Sequence, residues 1–275
     1  MKVILSRKGF DSSSGGKPSP IIGGQMLSIP IPEGYSGVSY TDIGFLHGGQ
    51  RYSYKQLMDD LSIRQFSECH LDPDIRKDIF NTPPTGWKPA FGQVGGSASE
   101  LKDVHPGDLF LFFGSFKEAE LKDGHFSYSK APEVHAIWGY MQVGTIHRWP
   151  KKSWKDALTS EPDGYSWHPH RKTDWIREDK NCFFLPATKD DFGGKGYGTF
   201  QYSPALVLTS AGLSKSLWRA FDFMSPTNQR VKVRTHDSGT AHYDSGGRGQ
   251  EFIFDVTDQG KLSLWLNELG LGLKS

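Results

Sequence analysis

Residues able to hold an anion, move a proton or ligate a metal gather in four short stretches of this chain. In "SRKGFDSSSGGKPSP" (6–20), Lys8, Asp11, Ser13 and Lys17 surround a serine run and a Gly-Gly pair. Flexible backbone amides beside lysine charge suit a phosphate or carboxylate. The stretch is not a P-loop, because Pro18 follows Lys17 where that motif needs Ser or Thr. A solvated surface loop has the same composition. In "CHLDPDIRKD" (69–78), His70, Asp72 and Asp74 alternate, so an extended backbone projects all three from one side. A histidine and two carboxylates could exchange protons or bind a divalent cation. Asp-Pro-Asp is equally at home opening a turn or capping a helix over "DIRKDIF".

The third stretch, "SWHPHRKTDW" (166–175), flanks Pro169 with His168 and His170. Proline favours an extended backbone, which points both imidazoles the same way. The pair is half of a metal site, or a loop whose tryptophans are pinned to the core. The fourth, "HYDSGGRGQEFIFD" (242–255), carries Arg248 on a flexible turn and Gln250 beside it, then sends Glu251 into an apolar strand. Arg248 suits an anion and Gln250 an amide or base edge, while a buried Glu251 requires a partner. No G-x-S-x-G or dinucleotide-type glycine fingerprint is present. Cys69 and His70 are sequence neighbours and point apart in a strand, so they do not form a thiol dyad.

The elements that must position these residues are mostly strands. "KVILS" (2–6) opens the chain, and "HPGDLFLFFGSF" (105–116) is a continuous apolar run of the kind buried on both faces. "VHAIWGYMQVGTIHRW" (134–149) follows, with Gly139 and Gly144 marking bulges. Between them a charged hairpin turns at Asp123-Gly124. "NCFFLPA" (181–187), "ALVLTS" (205–210) and "GQEFIFDV" (249–256) read as further strands. Helices are expected at 53–63, with Ser53 as N-cap, and at 260–271, with Leu262, Trp265, Leu266 and Leu269 on one face. Residues 215–224 read as a short helix or turn. With no linker or repeat, the economical fold is one α+β domain over 1–275, a curved and mostly antiparallel sheet with a few peripheral helices.

The 275 residues carry a net charge of +1, 36% hydrophobic and 13% aromatic residues, so the chain can bury a core and presents no nucleic-acid coat. The opening residues hold no apolar signal core and no run is long enough to span a membrane, so a cytoplasmic protein without a membrane partner is expected. Two cysteines outside any C-x-x-C pair support neither a zinc ribbon nor a disulfide framework.

The order "SRKGFDSSSGGKPSPI", "GWKPAFGQVGGSASELKDVHPGDLFLFFGSF", "HAIWGYMQVGTI", "HPH", "YSPALVLT" and "GRGQEFIFD" resembles the third of the nucleotide-modification-associated domain families of bacteria and their phages. The resemblance runs over nearly the whole chain and implies that the four polar clusters are shared family features in a setting of DNA base modification. By pattern, "HPGDLFLFFG" with "HAIWGYMQVGTI" is also similar to the strand pair of PUA-like barrels, including the ASCH and EVE groups, which hold bases in a cleft. The expectation is a cytoplasmic enzyme or enzyme-like protein that modifies, transfers or hydrolyses a nucleotide or DNA base. Asp11, His70, Asp72 and Asp74 are its candidate catalytic residues. Lys8, Ser13, Lys17, His168, His170, Arg248, Gln250 and Glu251 are its candidate binding residues. No particular cofactor follows, though a divalent metal is compatible with the cluster; the partner is a nucleotide or base, free or within DNA. The alternatives are a binding module that cages a flipped base with Trp138, Trp167 and Trp175, and an accessory subunit of a modification or defence complex.

Overall fold

The computed structural model describes residues 1–271 except 12, 13, 35, 65, 150–164, 166, 172–180, 190–194, 228–231, 236–240, 247 and 248. Strands β1 (Lys2–Arg7), β2 (Ser19–Ile22), β3 (Gln25–Met26), β4 (Ile31–Glu33), β5 (Gly44–His47) and β6 (Gln50–Ser53) lead into helix α1 (Tyr54–Asp60). Then come β7 (Glu68–His70), β8 (Phe91–Gln93), α2 (Gly95–Glu100), β9 (Leu109–Lys122), β10 (His125–Tyr128) and β11 (Val134–Trp149). After these lie β12 (Asn181–Pro186), β13 (Tyr197–Thr199), β14 (Leu217–Arg219) and β15 (Met224–Pro226). The last elements are β16 (Lys232–Thr235), β17 (Ala241–Asp244), β18 (Glu251–Val256) and α3 (Gln259–Glu268). Among the described residues no helix is long and apolar enough to cross a membrane.

Val3, Ile4 and Leu5 are fully buried, as are Leu109 to Phe113. Runs with no polar side to show water must sit inside a sheet covered on both faces. Accordingly β1 lies between β18, antiparallel, and β9, parallel, in the order β15-β18-β1-β9-β11-β12-β8. The register of β11 shifts between Ile137 and Gly139 and again between Val143 and Thr145, at the two glycines where bulges are expected. These kinks turn β11 away from β9, and its second half pairs with β12 instead. β12 carries β8 on its far side. The sheet thereby curls until Gln93 of β8 hydrogen-bonds Glu251 of β18 through Nε2 at 2.6 Å. No backbone ladder joins those two strands, so the α+β fold is a curved open sheet, and the closed PUA-like barrel does not form.

The hairpin at Asp123-Gly124 is present, and Ser53 caps α1 by accepting the Gln56 amide at 3.1 Å. α3 buries Leu262, Trp265 and Leu266 against the sheet, as its periodicity predicts. Three segments differ from the sequence expectation. Residues 205–210 form no strand: Pro204–Leu206 is a 3-10 turn, and the chain then makes isolated bridges to Ala136 and Trp218. Within 215–224, Leu217–Arg219 is a strand, not a helix, because fully buried Trp218 is drawn inward and donates Nε1–H to His135 Nδ1 at 3.0 Å. The helix expected over "DIRKDIF" shrinks to the 3-10 turn Lys77–Ile79. Asp74 exchanges both backbone hydrogen bonds with Ala90, which takes the first turn out of helical geometry.

Among the described residues the apolar interior forms two clusters. One covers the large sheet and α3; the other packs Phe10, Tyr40, Tyr54, Phe80 and Phe126 around α1. His135 is buried in the first, its ring edge-on to Phe113. Burial, reinforced by the Arg7 and Lys215 charges, lowers its pKa from 6.5 to about 3. The unfolded chain therefore takes up this proton first, so the stability that His135 contributes is complete above about pH 6.5 and is lost as pH falls toward 3. Between pH 7 and pH 5 the wild type is expected to lose about 2 kcal/mol more than His135→Gln, which keeps an acceptor for Trp218. Urea denaturation at the two pH values measures it; equal losses would show that His135 does not titrate across this range.

Candidate functional site

The end of β1 builds the first wall of a cleft of about 980 Å³. Beyond Arg7 the backbone keeps the parallel pairing for one more step, Lys8 donating its amide to Phe113 O at 2.7 Å. Phe10 then plunges fully buried into the second cluster, edge-on to Tyr40 and Phe66. This anchor leaves Lys8 and Asp11 on the cleft side. The loop closes on itself: Asp11 Oδ1 accepts the Ser14 amide at 2.8 Å and Asp11 O accepts the Gly16 amide at 3.0 Å. Gly15, at φ +92°, is obligatory because a Cβ there would lie 2.0 Å from the Phe10 ring. The described part of this loop, Asp11 and Ser14 to Gly16, is tied to the core through Phe10.

The opposite wall carries the histidines. His70 ends β7, and its Nδ1 lies 3.0 Å from Glu33 Oε2 on the adjoining β4. Its Nε2 lies 3.1 Å from His170 Nε2. Asp72, two residues on, is 3% exposed. Its Oδ1 accepts the Gly92 amide at 2.7 Å and faces His168 Nε2 at 3.4 Å, while Oδ2 faces His170 Nε2 at 3.8 Å. His168 Nδ1 accepts the His170 amide at 3.3 Å, so a neutral His168 carries its proton on Nε2, toward Asp72. Burial alone would raise the Asp72 pKa, but His168, His170 and Lys8 outweigh it and hold the carboxyl well below the usual range. Burial drives His170 well below the ordinary imidazole value, with Asp72 only partly opposing. Gly92 is again a requirement of space: a Cβ there would meet the His170 ring at 2.2 Å. His70, Asp72 and His170 each offer a ligand atom, all within 4.8 Å of one another.

Beneath the cleft, Glu251 is wholly buried and does find its partner. Lys8 Nζ approaches Oε1 at 3.5 Å from above the Phe91 ring, and Ser6 Oγ and Gln93 Nε2 donate to the same oxygen. Burial raises the Glu251 pKa against the pull of Lys8, Ser6 and Gln93.

The cleft thus gathers Lys8, Asp11, His70, Asp72, His170 and Gln250 from segments far apart in sequence. His168 and Glu251 stand behind it as supports. Two expected residues are not brought in. Lys17 reaches the other way and donates to Leu61 O at 2.7 Å, beyond the end of α1. Asp74 is buried against Trp87, whose Nε1–H it accepts at 2.8 Å, and burial raises its pKa well above the ordinary value. Alternation fails there because the backbone turns at Pro73 and pairs with Ala90. His168 and His170 come together around a 3-10 turn, Pro169–Arg171, not an extended segment. Ser13, Trp175 and Arg248 lie outside the described residues. Arg7, Ser14, Glu33, Gln93 and Ser97 also line the cleft and were not singled out by sequence. Arg7 and Ser14 adjoin residues that were, whereas Glu33 and Gln93 lie in stretches whose spacing signals no chemistry.

The sequence profile described as nucleotide modification associated domain 3 matches residues 2–255, so the chain belongs to that family. No curated protein and no solved structure shows significant similarity to it.

The buried pair makes a direct expectation. Glu251→Gln leaves Lys8 without its counter-charge and should cost about 3 kcal/mol, as breaking a buried ion pair does. Adding Lys8→Met should restore most of that loss. Chemical denaturation of the two single variants and the double variant gives the coupling. A Glu251→Gln protein as stable as wild type would mean that this carboxyl is already neutral in the fold.

Proposed function

We propose that this chain, a member of the nucleotide modification associated domain 3 family, is an enzyme that binds a nucleotide or DNA base in this cleft and modifies it there. The observation that carries the reading is convergence: two cations, three carboxylates and two imidazoles meet in one concavity from four separate segments. Arg7 and Lys8 line one side as preset anion contacts. Arg7 lies over the faces of Phe113 and Phe252, at 5.7 Å and 5.5 Å. On the other side Glu33 fixes the His70 ring through Nδ1, which leaves the Nε2 lone pair to the cleft. Transfer to, or hydrolysis of, a base or phosphate ester is the class of reaction such a set serves.

The non-catalytic reader is less well supported. Trp138 is 2% exposed beneath Arg76, and Trp167 packs against Phe80 and His168. Among the described residues lining the cleft there is no Phe, Tyr or Trp, so they offer no base cage. An accessory subunit would need a continuous apolar patch. Among the described residues the large exposed apolar side chains are Met1, Leu46, Val233 and Leu264, which lie on four different segments.

The chain should bind nucleoside phosphates or short oligodeoxynucleotides one to one by calorimetry, more weakly as salt rises. Arg7→Gln should weaken this binding at least about tenfold, the effect of losing a charge-assisted contact worth about 1.4 kcal/mol or more. Asp72→Asn should retain binding and abolish any modified nucleoside detected by mass spectrometry of the incubated substrate. A folded wild-type protein that binds none of these ligands would overturn the reading.

A further inference from the structure

We infer that His70, Asp72 and His170 form a site for one divalent first-row transition metal ion. The inference deepens the reading of the cleft as an active site. The three donors are His70 Nε2, His170 Nε2 and Asp72 Oδ2. Two of their separations, 3.1 Å between the nitrogens and 3.8 Å from His170 Nε2 to Oδ2, bracket the spacing two ligands of one ion require, and the three residues' ligand atoms all lie within 4.8 Å of one another. Bonds of about 2.0–2.1 Å set neighbouring ligand atoms of a tetrahedral ion about 3.3 Å apart.

What surrounds the donors argues the same way. A metal-binding imidazole needs its other nitrogen occupied, so that the ligating nitrogen is unprotonated and the ring aimed. His70 has that arrangement: Glu33 Oε2 takes Nδ1–H at 3.0 Å and leaves Nε2 as the lone-pair atom. Asp72 is prepared similarly. Gly92 N–H donates to Oδ1 and His168 Nε2 lies 3.4 Å from the same oxygen, which leaves Oδ2 as the oxygen that faces His170 Nε2. His168 is accordingly a positioning residue, not a ligand. It is fully buried and absent from the cleft wall, whereas the three proposed ligands all line it. The remaining coordination positions of the ion therefore face the cavity.

Two imidazoles and one carboxylate select zinc, iron(II), cobalt or manganese over magnesium and calcium, which prefer oxygen donors. A metal with open positions supplies a Lewis acid for a phosphoryl or carbonyl oxygen, or lowers the pKa of a bound water. That is the chemistry a base- or phosphate-modifying cleft lacks in its side chains alone.

The test uses metal alone. Chelator-stripped full-length protein, titrated with zinc and with cobalt(II) by calorimetry, should bind one equivalent that excess magnesium or calcium does not displace. His70→Gln and His170→Gln should each weaken binding at least a hundredfold. Glu33→Gln and His168→Gln should weaken it about ten- to a hundredfold, as loss of an orienting partner does. X-ray absorption of the zinc-loaded wild type should show two imidazoles around the ion, a readout that stands even if a variant fails to fold. Absence of saturable binding overturns the site. So does unchanged affinity in folded His70→Gln and His170→Gln, or a coordination shell without imidazole. Nucleotide binding is measured separately on the metal-free protein, so either reading can fail without the other.

Discussion

The carboxylate of Asp72 is ionised and almost wholly out of water, and the cleft is organised around that fact. An anion in a low-dielectric interior is tolerated only when fixed dipoles and charges replace its hydration. Here the replacements come from the Gly92 amide, the His168 and His170 imidazoles and the charge of Lys8. Gly92 belongs to β8, His170 to the turn Pro169–Arg171 with His168 just before it, and Lys8 follows the end of β1. Satisfying one side chain therefore brings three remote segments to a single place. The positions of His70 and Glu33, which reach the cluster through β7 and β4, follow from the same meeting.

The sheet supplies the space by failing to close. Two bulges in β11 send its second half to β12, and β12 brings β8 round toward β18. Backbone pairing stops before those strands meet, and side chains span the remaining gap: Gln93 bonds both Gln250 and Glu251. A closed ladder at that point would fill the interior with apolar side chains, as small barrels do. The open seam instead leaves room for Gln93, Val94, Ser97, Gly249 and Gln250 along one flank of the cleft. The curl that resembles a barrel and the gap that is not one are both needed for the site.

Long apolar runs and turn residues were readable from sequence because local physics decides them. β9 is buried whichever way it is oriented, Asp123-Gly124 can only turn, and glycines interrupt β11 at its two register shifts. Shorter elements were not. Leu217–Arg219 is a strand because Trp218 meets His135, a contact that no local pattern contains. The same limit applies inside the site. Asp72 and Asp74 are both buried and only two positions apart, yet one faces histidines and the other a tryptophan indole. What separates them is a backbone bridge to Ala90, a long-range pairing that overrides the alternation of side chains. Glu33 was invisible for a related reason: its role exists only through the antiparallel register of β4 with β7.

The cations of the cleft are as constrained as its anion, and this bears on how it would meet the ligand proposed for it. Lys8 is held by Glu251 below and the Phe91 ring beside it, and Arg7 by the faces of Phe113 and Phe252. Free lysine and arginine side chains lose much of their rotamer freedom on binding an anion; these two have lost most of it on folding. Their donors therefore stand in place before a ligand arrives, and so do the histidines across the cavity, each ring fixed by a carboxylate, an amide or a neighbouring imidazole. Charges arranged in advance stabilise a developing charge without the reorganisation that water or mobile side chains would require. A cleft built only to retain a ligand gains little from such rigidity on both sides. One that must favour a transition state over the bound substrate gains most from it.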